Sequence, residues 1–207
     1  MKTILFQGDS ITDADRSYVD DNKRGLGYPQ LVTARLGFDE PGKYTFINRG
    51  ISGNRIVDIY ARIKKDIINL NPSVMSILIG VNDVWHEINY QNGIETPKFE
   101  LLYSMLIEEV KAACPECKIM ILEPFVLRGT ATEENWEGFL NGVKEKAAAS
   151  KRVAEKYGLE FIPLQDDLDA LCEKAPQPYW LWDGVHPNPA AHELIARKWM
   201  NTYEKIK

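Results

Sequence analysis

Continuous apolar runs recur along the chain, spaced widely enough to leave room for a helix between each pair. The candidate strands are Thr3–Phe6, Tyr44–Asn48, Val74–Leu78, Lys118–Leu122 and Leu159–Pro163. The run Val74-Met75-Ser76-Ile77-Leu78-Ile79-Gly80 barely alternates with polar residues. That pattern suits a strand buried on both faces, as in a parallel sheet. Between the runs, apolar positions take helical spacing over Tyr28–Leu36, Asp58–Leu70, Phe99–Cys114, Trp136–Tyr157 and Pro189–Tyr203. Five strands alternating with helices predict an α/β protein with three α/β/α layers and a parallel, doubly wound sheet. The 207 residues fit a single domain over 1–207.

Ligands of open parallel sheets bind beyond the carboxyl ends of the strands. Polar, glycine-rich segments follow the first three strands: Gly8-Asp9-Ser10, Gly50-Ile51-Ser52-Gly53-Asn54 and Gly80-Val81-Asn82-Asp83. All three are expected at one edge. Longer polar stretches, Asp13–Gly27, Arg128–Gly138 and His86–Pro97, read as rim loops.

Ser10 follows a buried strand, where its hydroxyl can project from the sheet edge beside free backbone amides. The plain alternative is a helix-capping serine. Asp183 and His186 are three apart in Trp182-Asp183-Gly184-Val185-His186-Pro187-Asn188-Pro189. In a turn both can face one side, so the carboxylate accepts from one ring nitrogen and the other takes a proton from serine. Pro187 biases His186 toward extended backbone, and Asn188 and Pro189 read as N-cap and first position of the last helix. Gly53 and Asn82 can supply a backbone amide and a side-chain amide to an oxyanion, although each taken alone reads far more readily as a turn residue.

Taken jointly and in order, Ser10, Gly53, Asn82 and the Asp183/His186 pair resemble the SGNH (GDSL-like) serine hydrolase family. The matching strings are Gly8-Asp9-Ser10-Ile11-Thr12-Asp13, Asn48-Arg49-Gly50-Ile51-Ser52-Gly53-Asn54, Gly80-Val81-Asn82-Asp83 and Asp183-Gly184-Val185-His186-Pro187. The resemblance implies the flavodoxin-like fold of that family, with Ser10 as nucleophile, His186 as base and Asp183 orienting it. It further implies an oxyanion hole made of Ser10, Gly53 and Asn82, and no cofactor or metal. Gly80-Val81-Asn82-Asp83-Val84-Trp85, Glu123-Pro124-Phe125 and Trp182-Asp183-Gly184-Val185-His186-Pro187 are similar to strings of bacterial carbohydrate acetyl esterases within the family. Asp9, Trp85 and Trp182 are then expected at the substrate.

Composition narrows the partners. A net charge of −5 without a basic run argues against nucleic acid or an anionic membrane surface. The apolar stretch at Met1–Phe6 stops at Gln7-Gly8-Asp9, too early for a secretion signal, and no run reaches membrane-spanning length, so a cytoplasmic protein is expected. Cys114, Cys117 and Cys172 lack a second pair for zinc, and the first two lie in a turn rather than at a helix start, so reduced thiols are expected. Tyr179, Trp180 and Trp182 suit either a flat sugar face or packing between subunits of a homo-oligomer. The expected activity is deacylation of a small acetylated carbohydrate or other short ester. The alternatives are a lysophospholipase or acyl thioesterase with a long apolar groove, and a non-catalytic sugar-binding module.

Overall fold

The structure is a computed structural model that describes all 207 residues. Its sheet has five parallel strands: β1 (Lys2–Gly8), β2 (Tyr44–Asn48), β3 (Val74–Leu78), β4 (Lys118–Leu122) and β5 (Glu160–Ile162). They lie in the order β2-β1-β3-β4-β5. The helices are α1 (Ser10–Asp13), α2 (Tyr28–Asp39), α3 (Ile56–Ala61), α4 (Ile63–Asp66), α5 (Val81–Tyr90), α6 (Thr96–Ala113), α7 (Trp136–Tyr157), α8 (Gln165–Leu171), α9 (Gln177–Trp180) and α10 (Pro189–Ile206). This is the three-layer, doubly wound arrangement expected. No helix is long and apolar enough to cross a membrane.

The pleat sends alternate strand residues to opposite faces. Ile4, Phe6, Val74, Leu78, Met120 and Leu122 meet α2 and α10 through Tyr28, Val32, Leu36, Ile195, Trp199 and Tyr203. Leu5, Met75, Ile77, Ile119 and Ile121 meet α3, α4 and α6 on the other face. Both faces being covered explains the unbroken apolar runs. The stacked pair Trp199 and Tyr203, with ring centres 5.3 Å apart, anchors α10 to the sheet. Complete burial of each is worth about 2 kcal/mol or more.

Two expectations are corrected. The span Asp58–Leu70 is not one helix: α3 and α4 are separated at Arg62, and a 3₁₀ turn covers Ile68–Leu70. The Gln7 side chain of β1 donates to the Asp66 carbonyl at 2.9 Å, where α4 ends. His86–Pro97 is not all loop either, because α5 continues to Tyr90 and stops at Gln91 in left-handed backbone (φ 51°). Val81, Val84 and Ile88 recur at helical spacing, and Val84 packs so closely on α7 that Gly142 has no room for a Cβ, whose nearest contact would be 2.7 Å. Trp85 therefore sits one helical turn beyond Asn82, on the same side of α5. The thiols of Cys114, Cys117 and Cys172 are free.

Candidate active site

Because the five strands are parallel, the segments after β1, β2 and β3 emerge at one edge. The strand order reverses direction beside β1, which opens a crevice there. Ser10 begins α1 just beyond β1. The chain turns that sharply because Gly8 lies against Thr12 and the Leu78 carbonyl, where a Cβ would come within 2.4 Å of each. The Asp9 carboxylate caps the turn by accepting from the Ile11 amide at 3.0 Å. As first helical residue, Ser10 has no intrahelical acceptor for its own amide.

Four polar side chains tie the segments together. Asn48, at the end of β2, donates to the Thr12 carbonyl at 2.7 Å and accepts from the Gly50 amide at 2.9 Å. Asp13 accepts from the Ser52 amide at 3.0 Å and the Ser52 hydroxyl at 2.9 Å. Asp83 accepts from the Ile56 amide at 3.1 Å, which fixes the start of α3. Asn82 donates through Nδ2 to the Asn54 carbonyl at 3.2 Å, leaving its second N–H unused. Gly53 lies between these anchors in left-handed backbone (φ 81°), with open space where a side chain would be. Its amide donates to no group of the chain. Asn48, Asp13 and Asp83 stood inside the motif strings, but nothing in their spacing signalled these bonds to distant backbone.

Asp183 and His186 reach Ser10 from the far end of the chain. Their turn is closed by a bridge between Leu181 and Pro187 and a bond from the Trp182 amide to the His186 carbonyl at 3.1 Å. The loop after β4 buttresses it: Leu127 donates to the Gly184 carbonyl at 2.8 Å and Ala131 to the Asp183 carbonyl at 2.9 Å. Gly129 presses on the Asp183 carbonyl so closely that a Cβ there would stand 2.5 Å away. Asn188 occupies the N-cap of α10 with Pro189 next, as expected. Its side chain does not cap the helix and instead donates to the Pro178 carbonyl at 2.8 Å.

Ser10 Oγ lies 2.9 Å from His186 Nε2, and His186 Nδ1 lies 2.7 Å from Asp183 Oδ2. Asp183 Oδ1 accepts from the Val185 and His186 amides at 2.9 and 2.8 Å. Burial alone would raise the Asp183 carboxyl, but hydrogen bonds from His186 and these amides outweigh it and hold the pKa below its ordinary value. Burial would likewise lower His186, yet the bond and charge of Asp183, with help from Asp9, leave it raised. This serine, base and carboxylate chain can activate a hydroxyl for attack on a carbonyl carbon.

The expected contact of Asp9 with substrate is corrected. Its residue is 1% exposed, its carboxylate faces the α1 backbone, and burial pushes its pKa up to about 7. Trp182, 57% exposed, stacks on the His186 ring with centres 5.5 Å apart and planes 17° off parallel. Trp85 lies 6.0 Å from the same ring and packs edge-to-face on Phe139. Trp180 is held by a bond from its Nε1 to the Ala175 carbonyl, while Tyr179 is exposed. A cleft of about 410 Å³ opens beside Ser10 and His186, with Trp182 and Leu26 among its walls.

The sequence profile of the GDSL-like Lipase/Acylhydrolase family matches residues 6–194, which takes in the segments that carry Ser10, Gly53, Asn82, Asp183 and His186. This chain belongs to that family. It is a carboxylic ester hydrolase. This GDSL-like hydrolase is 29% identical to an acetylxylan esterase of Geobacillus stearothermophilus, over 95% of this chain and 91% of the relative. Among solved structures it resembles a GDSL-like lipase of Parabacteroides merdae, with TM-score 0.91 and 34% identity over 97% of this chain and 94% of the other. The structure of Axe2, an acetylxylan esterase from Geobacillus stearothermophilus, matches with TM-score 0.86 and 27% identity over 97% and 93% of the two chains.

Proposed function

We propose that this esterase removes short acyl groups, acetyl above all, from acetylated carbohydrates through an acyl-enzyme on Ser10. The observation that carries the substrate reading is the pair of indoles, Trp182 and Trp85, that flank the His186 ring. Trp182 offers a flat face to a sugar ring, and Trp85 limits the space next to Asn82. The similarity to acetylxylan esterases supports the same assignment. Catalytic mutants of Axe2 replace a serine and an aspartate, residue types that Ser10 and Asp183 supply here.

In this reading His186 Nε2 takes the Ser10 proton as Oγ attacks the acyl carbon. The carbonyl electron pair moves to its oxygen, which receives hydrogen bonds from the Ser10 and Gly53 amides and the free N–H of Asn82. Collapse breaks the bond to the sugar oxygen, which leaves with the proton held by His186. Water then repeats the sequence on the acyl-enzyme and releases the acid.

Asn82→Ala should lower kcat by about 10²–10³-fold, the size of losing one oxyanion donor. A change confined to KM would make Asn82 a ground-state binding group instead. Acyl length tests the substrate reading. Each methylene that a groove can bury is worth about 0.8 kcal/mol, and in this reading the Trp85 indole, one helical turn from Asn82, fills that space. Acetyl esters should therefore be preferred over butyryl and longer ones, and Trp85→Ala should raise butyryl or hexanoyl activity relative to acetyl. Measuring kcat/KM for acetyl through octanoyl esters on both proteins decides it. An unmodified enzyme that prefers octanoyl esters belongs with the lysophospholipases or thioesterases.

A further inference from the structure

Next to the site, a second histidine lines the same cleft without entering the relay. His192, in the first turn of α10, is 6% exposed, and it shares the cleft wall with Ser10, Trp182 and His186. Its Nδ1 accepts from the Tyr28 amide at 3.2 Å. A nitrogen that accepts carries no proton, so in the neutral ring the proton stands on Nε2. Burial, reinforced by the nearby His186, lowers its pKa to about 4 and keeps the ring neutral near pH 7. Gly27 covers the Nδ1–Cε1 edge of the ring, since a Cβ there would stand 3.0 Å from Cε1 and 3.3 Å from Nδ1. Nε2 and Cδ2 lie beyond that covered edge, and His192 lines the cleft. Nε2 makes no bond within the chain, yet it is absent from the sealed, unpartnered polar atoms of the core.

We infer that His192 Nε2–H is a specificity donor, which reads a hydroxyl or ring oxygen of a neutral sugar on the alcohol side of the ester. Two further features of the cleft fit that ligand. Trp182 presents an aromatic face. Asp15, next to Ala14 in the turn after α1, adds a carboxylate acceptor for sugar hydroxyls. That carboxylate also disfavours an anionic sugar, because like charges would meet in the cleft. The guanidinium of Arg16, next in the chain after Asp15, is occupied, donating through Nε to the Gly50 carbonyl at 2.6 Å and through Nη1 to the Ser17 carbonyl at 3.1 Å. A fixed donor, an acceptor and a flat apolar face together distinguish a polyhydroxylated ring from a plain alkyl or aryl alcohol.

This inference rests on the acetylated-carbohydrate reading, and the test separates the two. In His192→Asn, Oδ1 can replace Nδ1 as acceptor for the Tyr28 amide, while no donor reaches the position of Nε2. The assay compares kcat/KM on acetylated xylobiose with kcat/KM on p-nitrophenyl acetate, whose leaving group has no hydroxyl to read. One neutral hydrogen bond corresponds to roughly a 3- to 10-fold loss. That loss is expected on the sugar ester, chiefly in KM, with p-nitrophenyl acetate changed less than twofold. Equal losses on both substrates would make His192 a structural support for α2 and α10, and no loss on either would remove it from recognition. Both results overturn the inference and leave the substrate reading intact. An unmodified enzyme active on p-nitrophenyl acetate but inactive on acetylated sugars overturns both. His192→Phe, which also abandons the Tyr28 amide, reports the structural contribution through its melting temperature.

Discussion

Ser10→Ala is expected to lower esterase turnover by about 10⁵–10⁶-fold, the scale seen when a relay nucleophile is removed. The Ser10 hydroxyl makes one side-chain hydrogen bond, to His186, and the residue is only partly buried. Alanine keeps the helical backbone of α1, and the Asp9 cap does not depend on the hydroxyl. Loss of one partly exposed hydrogen bond should cost about 1 kcal/mol or less, so the melting temperature should move by only a few degrees. The check pairs p-nitrophenyl acetate turnover with thermal unfolding on the same preparation. Near-normal turnover in a folded variant would remove Ser10 as nucleophile. Low turnover with a collapsed melting temperature would point to misfolding, and Ser10→Gly would then serve as the second variant.

Asp183→Asn is expected to cost about 10⁴-fold in kcat, and the geometry says why. Oδ1 is committed to two backbone donors, the Val185 and His186 amides, so only an acceptor fits there. An asparagine must place its oxygen at that position and turn its NH₂ toward His186 Nδ1. Nδ1 then becomes the acceptor, the ring proton moves to Nε2, and the nitrogen facing Ser10 can no longer take a proton. The pH profile supplies a second readout. A raised pKa means that His186 holds its proton to higher pH than an ordinary histidine, so the base form takes over at higher pH. The acidic limb of kcat/KM in the unmodified enzyme should therefore lie above 6.5, with activity growing as pH rises through it. A limb below 6.5 would show that burial prevails over Asp183 at this ring. In Asp183→Asn the raising partner is gone, so any residual activity should show its limb at lower pH.

Phe139, and the clamp that the loop after β4 puts on the Asp183 turn, came into view only with the fold. Phe139 is remote from Trp85 in the chain, yet the two rings pack edge to face. No periodicity reports such a meeting, because side chains of one helix face are chosen by whichever element covers them. Asp9 teaches the same lesson in reverse. The resemblance to acetyl esterases put it at the substrate, whereas the turn into α1 leaves an orphan amide at Ile11 that its carboxylate satisfies. The carbonyl of Asp66, at the end of α4, is taken by Gln7, a residue 59 positions away in the chain.

What the sequence by itself determined is the architecture and the order of the chemistry. Runs such as Val74–Leu78 admit little but a strand covered on both faces, and the alternation with helices makes the sheet parallel. A parallel sheet sends every strand end to one edge, so Ser10, Gly53 and Asn82 had to gather there once the strands were known. These are local or topological consequences of side-chain hydrophobicity, and they need no coordinates. Tertiary structure alone decided whether the gathering could act. The Ser10–His186 bond spans 176 residues. It exists because Trp199 and Tyr203 seat α10 on the sheet and the loop at Leu127–Ala131 clamps the Asp183 turn. Bonds from buried polar side chains to remote backbone groups, as at Asp13, Asn48 and Asp83, follow no period along the chain. They form only where packing brings a donor and an acceptor together out of water, where leaving either one unpaired would be costly.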